Sequence, residues 1–227
     1  MPELITANDG FVSQPVLKEI SKLSKAPMVK RQKRIVFEKG ESDFDTQHYF
    51  YFILTGKIKI SQINFETSKE QILYLLSSGD MFDVSALLDG KSSEYLIEVM
   101  QRSEVVEVPI EDVRELLKSE PAFQRFFFPY VAKQLRTMEE LAVDLSLYDV
   151  YQRIIRLFAK YVDQNSLNPK LGIIENLSHE EIASMVGSVR KVVNRTLQKL
   201  KKDGIIELSR KQIKLLDLQK LLDKLEY

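Results

Sequence analysis

The hydrophobic period of this chain changes at Pro109, and that change constrains its fold class more than any other feature. Ahead of it lie short apolar runs closed by turn signals. Residues 34–37 lead into a turn at Gly40, residues 49–54 into Thr55-Gly56, and residues 71–76 into Ser78-Gly79-Asp80. Residues 57–63 alternate, with Ile58, Ile60 and Ile63 among polar neighbours, and residues 95–99 and 105–108 follow. Runs of this kind at roughly 8–12-residue spacing predict an antiparallel sandwich or roll. A weakly helical stretch, residues 12–25, precedes them. Beyond Pro109 the helical period takes over, so the expected fold is α+β, with strands first and helices after.

The helical part opens with a short segment, residues 111–118, and Pro121 then starts a much longer one reaching about Leu147. Phe127, Val131, Gln134, Met138, Leu141 and Leu145 follow one another in steps of four and three. That spacing is the seam of a two-stranded coiled coil and predicts a homodimer, with polar Gln134 setting register at some cost in stability. A second apolar row (Phe123, Phe126, Tyr130, Leu135, Ala142) could pack on the β domain. Residues 149–162 form another amphipathic helix, and residues 163–169 read as a surface loop. The expected domains are therefore 1–148, a β-roll with a long dimerisation helix at about 121–147, and 149–227.

Charge divides at nearly the same place. The formal net charge is zero, yet residues 1–150 carry 18 basic and 24 acidic side chains, and residues 151–227 carry 15 and 9. Nine basic residues fall between Arg190 and Lys214, against Asp203 and Glu207. A basic C-terminal piece on an acidic body suits a polyanion, DNA first among candidates. A solvated helix face would look the same by charge alone, so spacing has to decide.

Ser178-His179-Glu180-Glu181 is a capping box that starts a short helix with Ile182, Ala183 and Val186 facing in. Ala183 and Gly187 supply a small residue at a helix crossing and a glycine at a tight turn. A second helix is expected from near Ser188 to Lys202, burying Val189, Val192 or Val193, Thr196, Leu197 and Leu200 and ending at Gly204 in the left-handed conformation. Two short strands, 205–208 and 212–216, are joined by Ser209-Arg210-Lys211, a basic hairpin tip. The spacing is that of a winged helix-turn-helix, and it predicts binding to double-stranded DNA.

Composition narrows the remaining functions. Cysteine is absent, which excludes disulfides, thiolate metal sites, cysteine-ligated iron–sulfur clusters and a cysteine nucleophile. The two histidines, His48 and His179, fall in different predicted domains, so no metal site and no metal-dependent enzyme is expected. No GxGxxG or GxxxxGK[ST] motif occurs. No apolar run approaches the roughly 18–20 residues of a membrane span, and residues 1–10 are polar rather than signal-like. The expectation is a cytoplasmic, non-membrane protein that is not an enzyme.

Residues 177–217 resemble the winged helix-turn-helix of the Crp/Fnr family of bacterial transcription regulators. The resemblance extends to the turns at Gly40, Gly56, Gly79-Asp80 and Gly90, to Pro121, and to a hinge at residues 146–149. It implies an N-terminal β-roll of cupin-like, cyclic-nucleotide-binding-domain type. It places Arg190, Lys191, Asn194 and Arg195 where family members contact bases and phosphates, with Ser178, His179, Ser188 and Lys199 as phosphate contacts and Arg210 and Lys211 on the wing. Lys191 stands where the family commonly has Glu, so a different half-site is expected. The loop at residues 163–170 is where family members can touch RNA polymerase, which makes polymerase an implied partner.

The resemblance also implies what is missing. Cyclic-nucleotide-binding relatives hold the ribose with a Glu and the cyclic phosphate with an Arg; here Val84 and Ser93 occupy those positions. The usual cyclic-nucleotide mode is therefore not expected, and the missing cysteines close the iron–sulfur branch. Haem through His48 or a methionine is a minor alternative, and no cofactor is predicted. A different, unknown small-molecule effector, or control by abundance alone, is expected instead, with Tyr51, Tyr74, Phe82, Val84, Ser93 and Met138 as pocket candidates.

Overall fold

The computed structural model describes residues 31–91, 94–162, 169–209 and 212–225. The expected helix at 12–25, Ser93, the wing-tip pair Arg210 and Lys211, and most of the 163–170 loop lie outside the described residues. The chain divides into two compact units. Among the described residues, one comprises 31–63 and 73–138, the other 64–72 and 139–225.

The first unit is built on an antiparallel sheet: β1 (Lys33–Phe37), β2 (Tyr49–Asn64), β3 (Lys69–Leu76), β4 (Met81–Phe82) and β5 (Leu96–Pro109). Strand order is β1-β5-β2-β3, with β4 paired to β2. Tyr49 faces Pro109 and Ser61 faces Leu96 at the two ends of the β2–β5 ladder. The two runs expected at 49–54 and 57–63 form one continuous strand, because Gly56 takes the register shift between them. Gly56 has φ +106°, and a Cβ there would lie 2.1 Å from the Ser103 Oγ, so only glycine fits this crossing.

Strand alternation divides the core. Phe50, Phe52 and Leu54 join Val106, Val108, Phe123, Phe127 and Tyr130 in one cluster. Tyr51, Ile53, Ile58 and Ile60 join Val99 and Val105 in another. Period-two side chains facing opposite ways off one strand produce both. Helices α1 (Val84–Asp89), α2 (Ile110–Ser119) and α3 (Pro121–Leu147) complete the unit, α3 continuing into the second. Each fully buried Phe contributes roughly 1.5–3 kcal/mol relative to exposure, and Phe50, Phe123 and Phe127 are all at 0% exposure.

That burial corrects the expected seam. Phe127 stacks on Phe123 with ring centroids 5.6 Å apart, inside its own protomer. Gln134 donates to the Tyr130 hydroxyl at 2.6 Å. The apolar side chains left exposed on this half of α3 are Phe128 (56%) and Leu135 (61%), seven residues apart. Leu135 therefore does not pack into the β domain with Phe123, Phe126 and Tyr130. The available apolar stripe runs Phe128, Val131, Leu135, Met138, turned one residue from the predicted one.

The second unit contains α4 (Val150–Tyr161), a 3₁₀ turn at Gly172–Ile174, α5 (His179–Met185), α6 (Arg190–Lys202), β6 (Ile206–Leu208), β7 (Ile213–Leu215) and α7 (Leu218–Leu222). Asp149 caps α4 by accepting from the Gln152 N–H at 2.8 Å. Ile154, Phe158, Ile182, Val193, Leu197 and Leu200 form the floor of the unit at 0% exposure. β6 and β7 pair antiparallel, Ile206 facing Leu215 and Leu208 facing Ile213. Among the described residues no helix is long and apolar enough to cross a membrane.

Candidate nucleic-acid interface and ligand cavity

The capping box forms in full. The Glu181 N–H donates to the Ser178 Oγ at 3.1 Å, and the Ser178 N–H donates to the Glu181 carboxylate at 2.5 Å. Two of the amides that a helix start leaves unpaired are thereby satisfied. At the far end of α5 the Ser188 N–H donates to the Ala183 carbonyl at 2.9 Å, which closes the turn. Gly187 within it has φ +61°.

Helix α6 starts at Arg190, two residues later than the sequence suggested, with Val189 as an N-cap that makes no side-chain hydrogen bond. Its first turn carries no acidic side chain. Val193, Thr196, Leu197 and Leu200 are buried as expected, but Val189, ahead of the first turn, is exposed; Arg190, Lys191, Asn194, Arg195 and Lys199 are exposed. The Lys199 ammonium lies 4.3 Å from the centroid of the Tyr151 ring, a cation–π contact that fixes where its charge sits. The α6 N-terminus, without a side-chain cap and flanked by exposed Arg190 and Lys191, is locally positive. Ser178 is exposed at the start of α5, and His179 and Ser188 are half-buried.

Sequence reading missed what holds this motif in place. The Arg153 guanidinium on α4 donates to three carbonyls: Tyr148 at 2.8 Å, Leu145 at 2.9 Å and Val186 at 3.0 Å. The Gln71 amide donates to the Met185 carbonyl at 3.1 Å. Leu145, expected in the dimer seam, rests instead on the turn: a Cβ on Gly187 would lie 2.5 Å from its Cδ2. Arg156 pairs with Asp144 at 2.5 Å, and its guanidinium carbon lies 4.3 Å from the centroid of the Tyr148 ring.

The first unit has a partly open pocket of about 240 Å³ against α3. Of the expected pocket residues, Tyr74, Phe82, Val84 and Met138 line it. Tyr51 does not. At 1% exposure it sits in the core, its hydroxyl donating to Glu107 at 3.2 Å, and burial raises its pKa. Asp83, Tyr95 and Gln134, none of them expected there, also line the cavity. Asp83 caps α1, its carboxylate accepting from the Ser85 and Ala86 amides at 3.1 and 3.4 Å. An Asp directly before a Val-Ser-Ala-Leu-Leu run is an N-cap signal that the sequence did contain. His48 lies away from this cavity on an exposed turn, its Nδ1 3.0 Å from Asp45.

A β-domain with a pocket against its helix, and a capped helix-turn-helix whose second helix presents a basic face, together define a helix-turn-helix class of transcription regulator. Comparisons with known proteins agree. The cyclic nucleotide-binding domain family matches residues 30–120, and the Crp-like helix-turn-helix domain family matches residues 152–224. The global nitrogen regulator of Nostoc sp. is 27% identical over 184 residues, 78% of this chain and 82% of that protein. The cAMP-activated global transcriptional regulator CRP of Haemophilus influenzae is 25% identical over 165 residues, 72% of this chain and 73% of that protein. Among solved structures, FixK2 from Bradyrhizobium japonicum shares the fold, with a TM-score of 0.72 over 86% of this chain and 98% of that one, at 20% identity. The chain belongs to the Crp/Fnr family of transcription regulators.

Proposed function

We propose that this chain acts in the cytoplasm as a homodimeric, sequence-specific DNA-binding regulator without catalytic activity or a resident cofactor. The observation that carries the reading is the outer face of α6, where Arg190, Lys191, Asn194 and Arg195 stand exposed over a buried apolar face. Arg190 is assigned to a guanine, through the bidentate O6 and N7 pattern, and Asn194 to an adenine. Ser178, His179, Ser188 and Lys199 position the helix on phosphates. Two copies joined along α3 through Phe128, Val131, Leu135 and Met138 would read half-sites about one helical turn apart. RNA polymerase is the implied protein partner.

The cavity of the first unit is read as the effector site, and its residues do not fit a cyclic nucleotide. Val84 offers no acceptor for a ribose hydroxyl, and Ser93, which the resemblance aligns with the phosphate-binding Arg, is no cation. The Asp83 carboxylate already takes the Ser85 and Ala86 amides at the start of α1. A phosphate placed beside it would meet a charge of its own sign, which disfavours that arrangement.

A gel-shift against fragments of genomic DNA tests the proposal. Discrete shifted bands that survive competitor DNA are expected, and shifts abolished equally by any DNA would defeat the claim of specificity.

A further inference from the structure

Two properties of Val189 do not suit its position. It is the N-cap of α6, where Ser, Thr, Asp and Asn are favoured because a side-chain oxygen there accepts a free helix amide, and Val makes no such bond. Its side chain is also 50% exposed. In a helical conformation it would lie four residues before Val193, on the buried stripe. The backbone instead takes φ −121° and ψ 148°, and this extended conformation carries the side chain off that stripe. An apolar, β-branched side chain is left in solvent directly ahead of the exposed Arg190 and Lys191.

A single exposed Val on an arbitrary surface calls for no explanation. This one stands where the helix with the basic face begins, and the N-terminal residues of a recognition helix are those that meet base edges. Val has neither a donor nor an acceptor for a phosphate or a polar base atom. The C5-methyl of thymine is the apolar group that base pairs present in the major groove. Contact between the two takes both apolar surfaces out of water. Arg190 and Lys191 attract the surrounding phosphates, so charge brings the duplex to this side chain.

We propose that Val189 is a specificity-determining residue that reads a thymine through its C5-methyl. The inference rests on reading α6 as the recognition helix, and it adds an apolar contact to the polar ones assigned to Arg190 and Asn194. Consecutive Cα atoms lie about 3.8 Å apart, close to the step of about 3.4 Å between base pairs. The thymine therefore lies within about two base pairs of the guanine assigned to Arg190.

The test is fluorescence anisotropy with the full chain on the duplex that it selects from random DNA, each thymine being replaced in turn by deoxyuridine. Deoxyuridine keeps the O4 acceptor and the base pairing and lacks only the methyl. One thymine in each half-site, beside the guanine of Arg190, should lose about fourfold in affinity on replacement, the worth of one methyl group removed from water. Val189→Ala should bind the thymine and deoxyuridine duplexes alike. Val189→Ser supplies an N-cap oxygen, so it should melt no lower than the parent chain and still lose the discrimination. A penalty that persists in both variants, or no penalty at any thymine, would overturn the proposal. A common selected sequence without dependence on the methyl overturns only the Val189 assignment, whereas selection of no common sequence overturns the recognition-helix reading beneath it.

Discussion

The Arg153 guanidinium donates to the Val186 carbonyl at 3.0 Å, and its other nitrogens hold the Leu145 and Tyr148 carbonyls. Carbonyls at the ends of α3 and α5, which have no partner within their own helices, are satisfied by one side chain. The planar fork makes this geometry available to Arg and not to Lys. Arg153→Lys should therefore loosen the helix-turn-helix on the end of α3. Affinity for a full operator should fall by about tenfold while affinity for an isolated half-site is kept, because only the full site depends on fixed spacing. Fluorescence anisotropy on both DNAs, with melting temperature as control, reads the difference.

Gly187 presses on Leu145 from the other side. Gly187→Ala should destabilise the chain by about 1–3 kcal/mol, from a left-handed backbone together with overpacking. Adding Leu145→Ala opens space for the new methyl, so the double variant should be less destabilised than the sum of the singles by about 1 kcal/mol. Strict additivity in chemical denaturation would show that the two residues do not touch.

The two apolar faces of α3 should separate cleanly. Phe127→Ala should cost about 3–5 kcal/mol of protomer stability through a core cavity. Leu135→Glu, at a 61% exposed position, should leave the fold intact and halve the native mass. Light scattering with circular dichroism checks both.

Asp80 sets a pH dependence. Burial raises its carboxyl above the ordinary carboxylate range, with the Lys133 charge and Ser77 hydrogen bonds partly opposing the shift. The native state then binds a proton that the unfolded chain releases earlier. Its contribution is full below the unfolded pKa and is lost as pH rises through the folded one. Asp80→Asn should flatten this decline of stability above about pH 4, read as denaturation midpoints across pH.

On α6 the contacts should sort by kind. Lys199→Ala should weaken binding to all sequences alike and reduce the salt slope by about one. Arg190→Ala should relax preference at one base pair by about 1–3 kcal/mol.

Local signals made much of this molecule legible. Ser178 and Glu181 announce a capping box that forms atom for atom, and the unbroken apolar run at residues 49–54 forms a strand buried on both faces. Phe127 belongs to the core and not to an exposed seam, because apolar residues encircle much of α3 and several rows fit a coiled-coil spacing. Only packing distinguishes Phe127 from Phe128. Tyr51 looked like a pocket residue because aromatic character does not reveal which face of a strand meets a cavity. Gln71 on Met185 and Arg153 on Val186 join positions 114 and 33 residues apart, and no window of sequence reports such pairs.

Selection of binding sites from random double-stranded DNA by the full-length chain tests the central claim most directly. The account predicts a pseudo-palindrome with half-sites about one helical turn apart, and a shifted half-site for Lys191→Glu. Recovery of no common sequence, with binding that depends on salt alone, would contradict it.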